Sequence, residues 1–253
     1  MFYHCHVSPF YTMRIQTEGH VVNSQWGDVN GDGIADYVYL TGTASADSPY
    51  TQNIQLHVRD GRTNQTFSIP LKENTGYNPT IFLGDFTGNG VNEILINIDS
   101  GGSGAFTYDS MYPFLNNRAQ LLYDNDWFVE SYSKDTDVIY EDGYKVRILN
   151  RSLNKQYVLD ISERGRDYLS QMYDEQGKLT KPTRGSVLGV SGAYPIDLQR
   201  DGIYELFPFQ RVIGLYNADA LGYLQTPLSW DKEQLRFVPM YQLAAVFGNE
   251  ITD

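Results

Sequence analysis

A single cysteine, Cys5, stands in 253 residues, so neither an intrachain disulfide nor a cysteine-rich zinc site can form. Cations are scarce: 19 Lys and Arg stand against 31 Asp and Glu, for a net charge of −12. Nucleic-acid affinity comes from clustered cations, so this balance argues against a nucleic-acid partner and favours a cation-binding protein. Long apolar runs are missing, and none approaches the ~18 residues that a membrane span needs. The opening MFYHCHVSPFYTMRIQ has no basic start and no apolar stretch, so it does not read as a secretory signal. Either the chain is not exported by the general route or a leader lies outside this sequence. No Ser/Gly- or Pro-rich linker divides the chain, which predicts one domain over 19–244 between tails at 1–18 and 245–253.

Aromatic residues are abundant at 14%, with 20 tyrosines, which tilts the composition towards strands. Short apolar or alternating runs recur between Gly, Asn, Asp and Pro. They include Tyr37–Thr41, Ile54–Val58, Ile94–Ile98, Lys145–Leu149 and Tyr157–Ile161. Ser229–Val238 reads as a hairpin with a polar turn. Helical spacing is confined to Glu163–Tyr173, through Tyr168, Leu169, Met172 and Tyr173, and Gly177 follows it. The expected fold class is therefore all-β.

One loop pattern occurs three times. Loop one is Asp28-Val29-Asn30-Gly31-Asp32-Gly33-Ile34-Ala35-Asp36. Loop two is Asp85-Phe86-Thr87-Gly88-Asn89-Gly90-Val91-Asn92-Glu93. Loop three is Asp197-Leu198-Gln199-Arg200-Asp201-Gly202-Ile203-Tyr204-Glu205. Each has oxygen-bearing side chains at positions 1, 3, 5 and 9, glycine at 6 and an aliphatic residue at 7. Asp28 and Asp85 are 57 residues apart, and Asp85 and Asp197 are 112 apart. A period of about 56 leaves a slot near residue 141, where Glu141-Asp142-Gly143-Tyr144 keeps a turn without the ligand pattern. A repeat of that size holding several strands predicts a β-propeller. Four blades fill the chain, five shorter blades being the alternative, with ion loops in three.

Hard cations such as Ca²⁺ take six to eight oxygen ligands at about 2.3–2.6 Å. The spacing offers Asp28, Asn30, Asp32, the Ile34 carbonyl and Asp36 in loop one. Loop two offers Asp85, Thr87, Asn89, the Val91 carbonyl and Glu93. Loop three offers Asp197, Gln199, Asp201, the Ile203 carbonyl and Glu205. Glycine at position 6 permits the positive-φ bend around the ion. Loops one and three carry three carboxylates each and loop two carries two. With Arg200 weakening loop three, the expected affinity order is one, three, two. Burial of Trp26 would fix loop one to the core. An EF-hand would need Glu at position 12, where this chain has Tyr39, Ile96 and Pro208. The strand-like residues that follow also exclude dockerin-type loops.

These loops, together with Trp26-Gly27-Asp28 and Leu83-Gly84-Asp85 leading into two of them, resemble the FG-GAP (integrin-α-like) and VCBS repeat families. The chain as a whole resembles VCBS-repeat proteins of spore-forming Gram-positive bacteria. That resemblance implies a propeller with Ca²⁺ held in its blades, and roles in adhesion, surface recognition or extracellular scaffolding. It covers about residues 19–240, its specific part being the three loops. Thr87, Asn89, Gln199, Arg200 and the empty slot near 141 depart from the repeat.

Other motifs carry less. Asp99-Ser100-Gly101-Gly102 resembles a serine-protease nucleophile loop, but too little chain precedes it for that fold, and His20 and His57 lack the expected flanks. It reads as a strand-joining loop that could touch a ligand. His4-Cys5-His6 reads as tail rather than as a soft-metal site. Asn64-Gln65-Thr66 and Asn150-Arg151-Ser152 match the N-glycosylation pattern but matter only in a eukaryotic secretory setting. Tyr194, Tyr204, Phe207, Phe209, Tyr216 and Tyr223 read as core, or as a pocket lining with Arg211, Asn217 and Asp219. The expected function is a Ca²⁺-stabilised binding or adhesion module for a protein or glycan, at the cell or spore surface, a cytoplasmic place staying open. The alternatives are a polysaccharide-acting enzyme on the same scaffold and a spore-coat or surface-layer component. The oligomeric state is not legible.

Overall fold

A computed structural model describes residues 19–44 and 48–248. Among the described residues the fold is all-β, with two short α-helices and one 3-10 turn at Leu115–Asn117. Strands β1 (His20–Gly27), β2 (Asp36–Ala44), β3 (Thr51–Arg59) and β4 (Thr66–Pro70) form one four-stranded antiparallel sheet in chain order. A second such sheet comprises β5 (Tyr77–Gly84), β6 (Glu93–Asp99), β7 (Thr107–Tyr112) and β8 (Tyr123–Asp124). Helix α1 (Asn125–Tyr132) follows, with Asp124 as its N-cap accepting from Trp127 N at 2.7 Å.

The rest forms one nine-stranded sheet. Its strands are β9 (Thr136–Glu141), β10 (Lys145–Asn150), β11 (Lys155–Asp160), β12 (Arg184–Ile196), β13 (Glu205–Ile213), β14 (Ala220–Gln225), β15 (Leu228–Asp231), β16 (Arg236–Pro239) and β17 (Leu243–Val246). The main order is β11-β10-β9-β12-β13-β14-β17, and the β15–β16 hairpin joins β13 through Leu206 and Leu228. Helix α2 (Arg166–Leu169) lies between β11 and β12.

The sequence explains the layering. In β2, Val38 and Leu40 are buried while Tyr37 and Tyr39 are only partly so, the alternation of a sheet with one covered face. Strand β6 has no such alternation. Ile94, Ile96 and Ile98 pack with Val38, Leu40, Ile54 and Leu56 of the first sheet, whereas Leu95 packs with Met111, Val190 and Leu206 on the other side. The second sheet is thus covered on both faces, which accounts for the continuous apolar run Ile94-Leu95-Ile96.

Strand β12 is long and pairs at one end with β9 while running along β13. Its register with β13 shifts twice, between Val187 and Val190 and between Val190 and Ala193. Such irregularities bend and twist a strand. The nine-stranded sheet curls around Val138, Tyr140, Val146, Ile148, Met172, Val212 and Leu224 and becomes barrel-like.

Several expectations need correction. The expected helix over Glu163–Tyr173 shrinks to the single turn Arg166–Leu169, because Tyr173 leaves it to pair with Leu179. Helix α1 escaped the sequence reading, although Asp124 and the i, i+4 pair Phe128 and Tyr132 mark it. Trp26 is 62% exposed and packs on the Tyr37 ring at 4.8 Å, so it does not anchor loop one in the core. The runs at Tyr37, Ile54, Ile94, Lys145 and Tyr157 lie in β2, β3, β6, β10 and β11, and Ser229–Val238 lies in the β15–β16 hairpin. Among the described residues, no helix is long and apolar enough to cross a membrane. Both tails, except 245–248 of the second, lie outside the described residues, as does His4-Cys5-His6.

Candidate cation-binding loops

Each loop joins the first strand of a sheet segment to the next: β1 to β2, β5 to β6, and β12 to β13. Closely similar hydrogen-bond circuits close all three, loop three using the position-5 amide where loop one uses position 4. The position-1 carboxylate turns back over its own loop. Asp28 accepts from Gly31 N and Gly33 N, both at 2.8 Å. Asp85 accepts from Gly88 N at 2.7 Å and Gly90 N at 2.8 Å. Asp197 accepts from Asp201 N and Gly202 N, both at 3.1 Å. The position-5 side chain accepts from the position-7 amide: Ile34 N to Asp32 at 2.8 Å, Val91 N to Asn89 at 2.8 Å, and Ile203 N to Asp201 at 3.0 Å.

Position 9 braces the loop from beneath. Asp36, Glu93 and Glu205 are 0%, 1% and 3% exposed. They accept from the position-2 amides of Val29 at 3.1 Å, Phe86 at 2.7 Å and Leu198 at 2.8 Å. The position-3 side chains Asn30, Thr87 and Gln199 donate to the same carboxylates. Burial pushes the Asp36 and Glu93 carboxyls above their ordinary values, against the opposing pull of these donors. Left-handed backbone recurs at positions 4 and 6, with φ of 84° and 80° in loop one and 66° and 83° in loop two. In loop three Arg200 takes position 4 at 59°, where a side chain is strained.

The loops also touch one another in a row. Asn92 N of loop two donates to the Asp28 carbonyl of loop one at 3.2 Å. Tyr204 N of loop three donates to the Asp85 carbonyl of loop two at 2.8 Å. The position-8 amide of one loop thus binds the position-1 carbonyl of the loop before it. Loop three therefore lies directly against loop two. The slot expected between them, Glu141-Asp142-Gly143-Tyr144, is the β9–β10 hairpin turn. The spacing of 112 residues reflects β9–β11 and α2 inserted in the chain, not a blade standing between the two loops.

All the loop side chains at positions 1, 3, 5 and 9 carry oxygen, the donor chemistry that suits a hard cation. Their carboxylates already accept loop N–H groups, so a cation would use the remaining lone pairs or displace those contacts. Among the described residues, no three His, Cys, Asp or Glu side chains gather as a metal-ligating group.

Cationic side chains that the repeat did not announce stand beside two loops. Arg62 donates through Nε to Asp32 Oδ2 at 2.7 Å and through Nη2 to the Asp32 carbonyl at 2.8 Å. Lys232 Nζ donates to the Gly88 carbonyl at 2.9 Å. Asn117 links loop one to the β3–β4 turn, accepting from Asn30 and donating to Asp60. Asp60 and Asn117 are themselves 57 residues apart, the spacing of loops one and two, whereas Arg62 and Lys232 have no cationic counterpart at that spacing.

The other candidates separate cleanly. Ser100 lies in the β6–β7 loop, while His57 on β3 bonds Thr41 and Ser68, both at 2.9 Å, so that pair forms no nucleophile and base. Asp219 is buried, paired with Arg164 at 3.0 Å and bonded to Tyr168 at 2.7 Å. Tyr204 belongs to the core beside Phe82 and Phe86. Tyr194, Phe207, Phe209 and Tyr223 instead pack ring to ring, with Tyr194 52% exposed.

Residues 134–243 match a family described as the YybI C-terminal domain, a span running from just before β9 to the first residue of β17. The protein YybI of Bacillus subtilis (strain 168) is 41% identical over 232 residues, which make up 92% of this chain and 87% of that protein.

Proposed function

The chain belongs to the YybI family, and for this member we propose a calcium-stabilised, propeller-like module that binds or scaffolds a protein or glycan at the cell or spore surface. In this reading the first two sheets and β12-β13-β14-β17 are consecutive blades. Strands β9–β11 make the fourth, joined edge-on to the third through β12. The observation that carries it is the shared circuit of three loops linked in a row. Closely similar geometry at Asp28–Asp36, Asp85–Glu93 and Asp197–Glu205 argues for one role, and oxygen at positions 1, 3, 5 and 9 argues for Ca²⁺. The backbone carbonyls of Ile34, Val91 and Ile203 complete the donor sets. A cation in each loop would hold neighbouring sheets together where the loops meet. The likeness of these loops to FG-GAP and VCBS repeats supports the surface role.

Binding is favoured over catalysis by the state of the most perturbed buried acid. Asp109 is pushed up to about 6 by burial, but its oxygens accept from Asn97, Thr107 and Asn125. Those contacts tie β7 to β6 and to the start of α1, which is structural work. Calorimetric titration of chelator-treated protein with Ca²⁺ tests the proposal. Heat from binding and a higher melting temperature are expected, by about 2.7 kcal/mol of stability at a hundredfold excess over Kd. No heat and an unchanged melt would overturn it.

A further inference from the structure

We propose that Arg62 is a tethered counter-cation that competes with a divalent ion for loop one. The inference rests on the reading of the loops as cation sites and adds a control element to it. Arg62 does not merely lie near the loop. Its guanidinium takes two oxygens of one residue, Asp32 Oδ2 and the Asp32 carbonyl, in a fork. Asp32 is the position-5 ligand, so the guanidinium sits on an atom that a bound ion would need.

The turn that presents Arg62 is built to hold it there. Asp60 Oδ1 accepts from Arg62 N at 2.8 Å and Thr63 N at 2.9 Å, and Asp60 Oδ2 accepts from Asn117 at 3.1 Å. Gly61 N of the same turn donates to Asp36 Oδ1 at 2.9 Å. The β3–β4 turn thus grips loop one at positions 5 and 9 together. The Arg62 side chain is 55% exposed, so it can swing into water when an ion arrives, and its contribution is modest and screened by salt.

Lys232 supplies the contrast. It reaches loop two from the β15–β16 turn, whose Asp231 accepts from Glu233 N and Gln234 N. Its partner is the Gly88 carbonyl at position 4, which is not in the donor set. A cation entering loop two need not displace Lys232, whereas one entering loop one must displace Arg62. Charge near a site and occupation of a ligand atom are thereby separated within one molecule.

The experiment is calorimetric Ca²⁺ titration of the whole chain as wild type, Arg62→Gln, Lys232→Gln and the double variant Arg62→Gln/Asp32→Ala, with circular dichroism to verify folding. Arg62→Gln should bind one ion about three- to tenfold tighter, by analogy with the strength of exposed charge-assisted pairs. Adding Asp32→Ala should abolish that gain, and Lys232→Gln should leave the loop-one affinity where it was. In excess chelator, Arg62→Gln should melt lower than wild type. If wild type binds Ca²⁺ and Arg62→Gln binds it no more tightly, the competition is wrong and the cation-site reading stands. If neither protein binds Ca²⁺ at all, both fall.

Discussion

Loops one and three run closely similar circuits from differently supported positions. Loop one is held from outside: Gly61 and Arg62 reach it from the β3–β4 turn, Asn117 from beyond β7, and Asn92 from loop two. The circuit of loop three closes on its own side chains, with Tyr204 reaching out to loop two. Loop one also has glycine at position 4 where loop three strains Arg200. The repeated residues therefore fix the shape of a loop, while residues outside the repeat decide how firmly it is held. Loop one should withstand loss of a cation better than loop three does.

The largest effect should come from removing the acid beneath loop one. Asp36→Ala removes the shared acceptor of Val29 N, Asn30 Nδ2 and Gly61 N, with Val29 fully buried, Asn30 keeping its bond to Asn117 and Gly61 lying in an exposed turn. About 3 kcal/mol or more should be lost in urea denaturation. Glu205→Ala strands two, Leu198 N and Gln199 Nε2, and should cost about 2 kcal/mol. Equal losses would erase the distinction between the loops.

A pH series separates the loops from the interior. Asp109 titrates near 6 in the folded chain against an ordinary value of 3.8, so the folded state holds its proton more tightly than the unfolded state. Its ionisation penalises folding above about pH 6, and the penalty fades as pH falls through 6 towards 3.8. Wild type should gain about 1–3 kcal/mol between pH 7.5 and pH 4.5 from this group. Asp109→Asn should lose that part of the slope in denaturant melts. The slope left over sums Asp36 and Glu93, which burial shifts in the same direction, and groups such as His57, Asp60, Glu141 and Asp231, whose lowered values work against them.

Position 4 gives a smaller pair. Gly88→Ala places a methyl group at φ 66° and 2.9 Å from both Ile203 Cδ1 and Lys232 Nζ, at a cost of about 1–3 kcal/mol. Arg200→Gly relaxes the same position in loop three and should stabilise by about 0.5–1 kcal/mol. A destabilised Arg200→Gly would mean that the arginine holds the loop through contacts stronger than its strain. The ligand-charge effect is of similar size. Asp32→Ala should weaken Ca²⁺ binding more than Asn89→Ala, by about 1 kcal/mol, as read by calorimetry.

What was legible in the sequence follows from what is local. Strands such as β2 and β6 announce themselves through residues a few positions apart, and so do the loops, since their circuits run within nine residues. The all-β class followed from both. Contacts between loops did not. The order of the sheets rests on packing between distant strands and on loop contacts such as the Asn92 and Tyr204 amides, none marked by periodicity, so equal spacing suggested a blade between loops two and three where the backbone has none. Trp26 failed for a related reason: an aromatic on the outer face of β1 can be covered by the neighbouring Tyr37 ring instead of the core. Arg62 and Lys232 were invisible because their partners lie 30 and 144 residues away.

Diffraction from crystals grown in Ca²⁺ and soaked with a lanthanide, read as anomalous difference density, addresses the central claim most directly. Peaks within the oxygen donor sets of Asp28–Asp36, Asp85–Glu93 and Asp197–Glu205 are predicted, with the Arg62 side chain turned away from Asp32 wherever loop one is filled. Three loops with their N–H circuits intact and no density inside them would contradict it and leave the repeat as a set of self-closing turns.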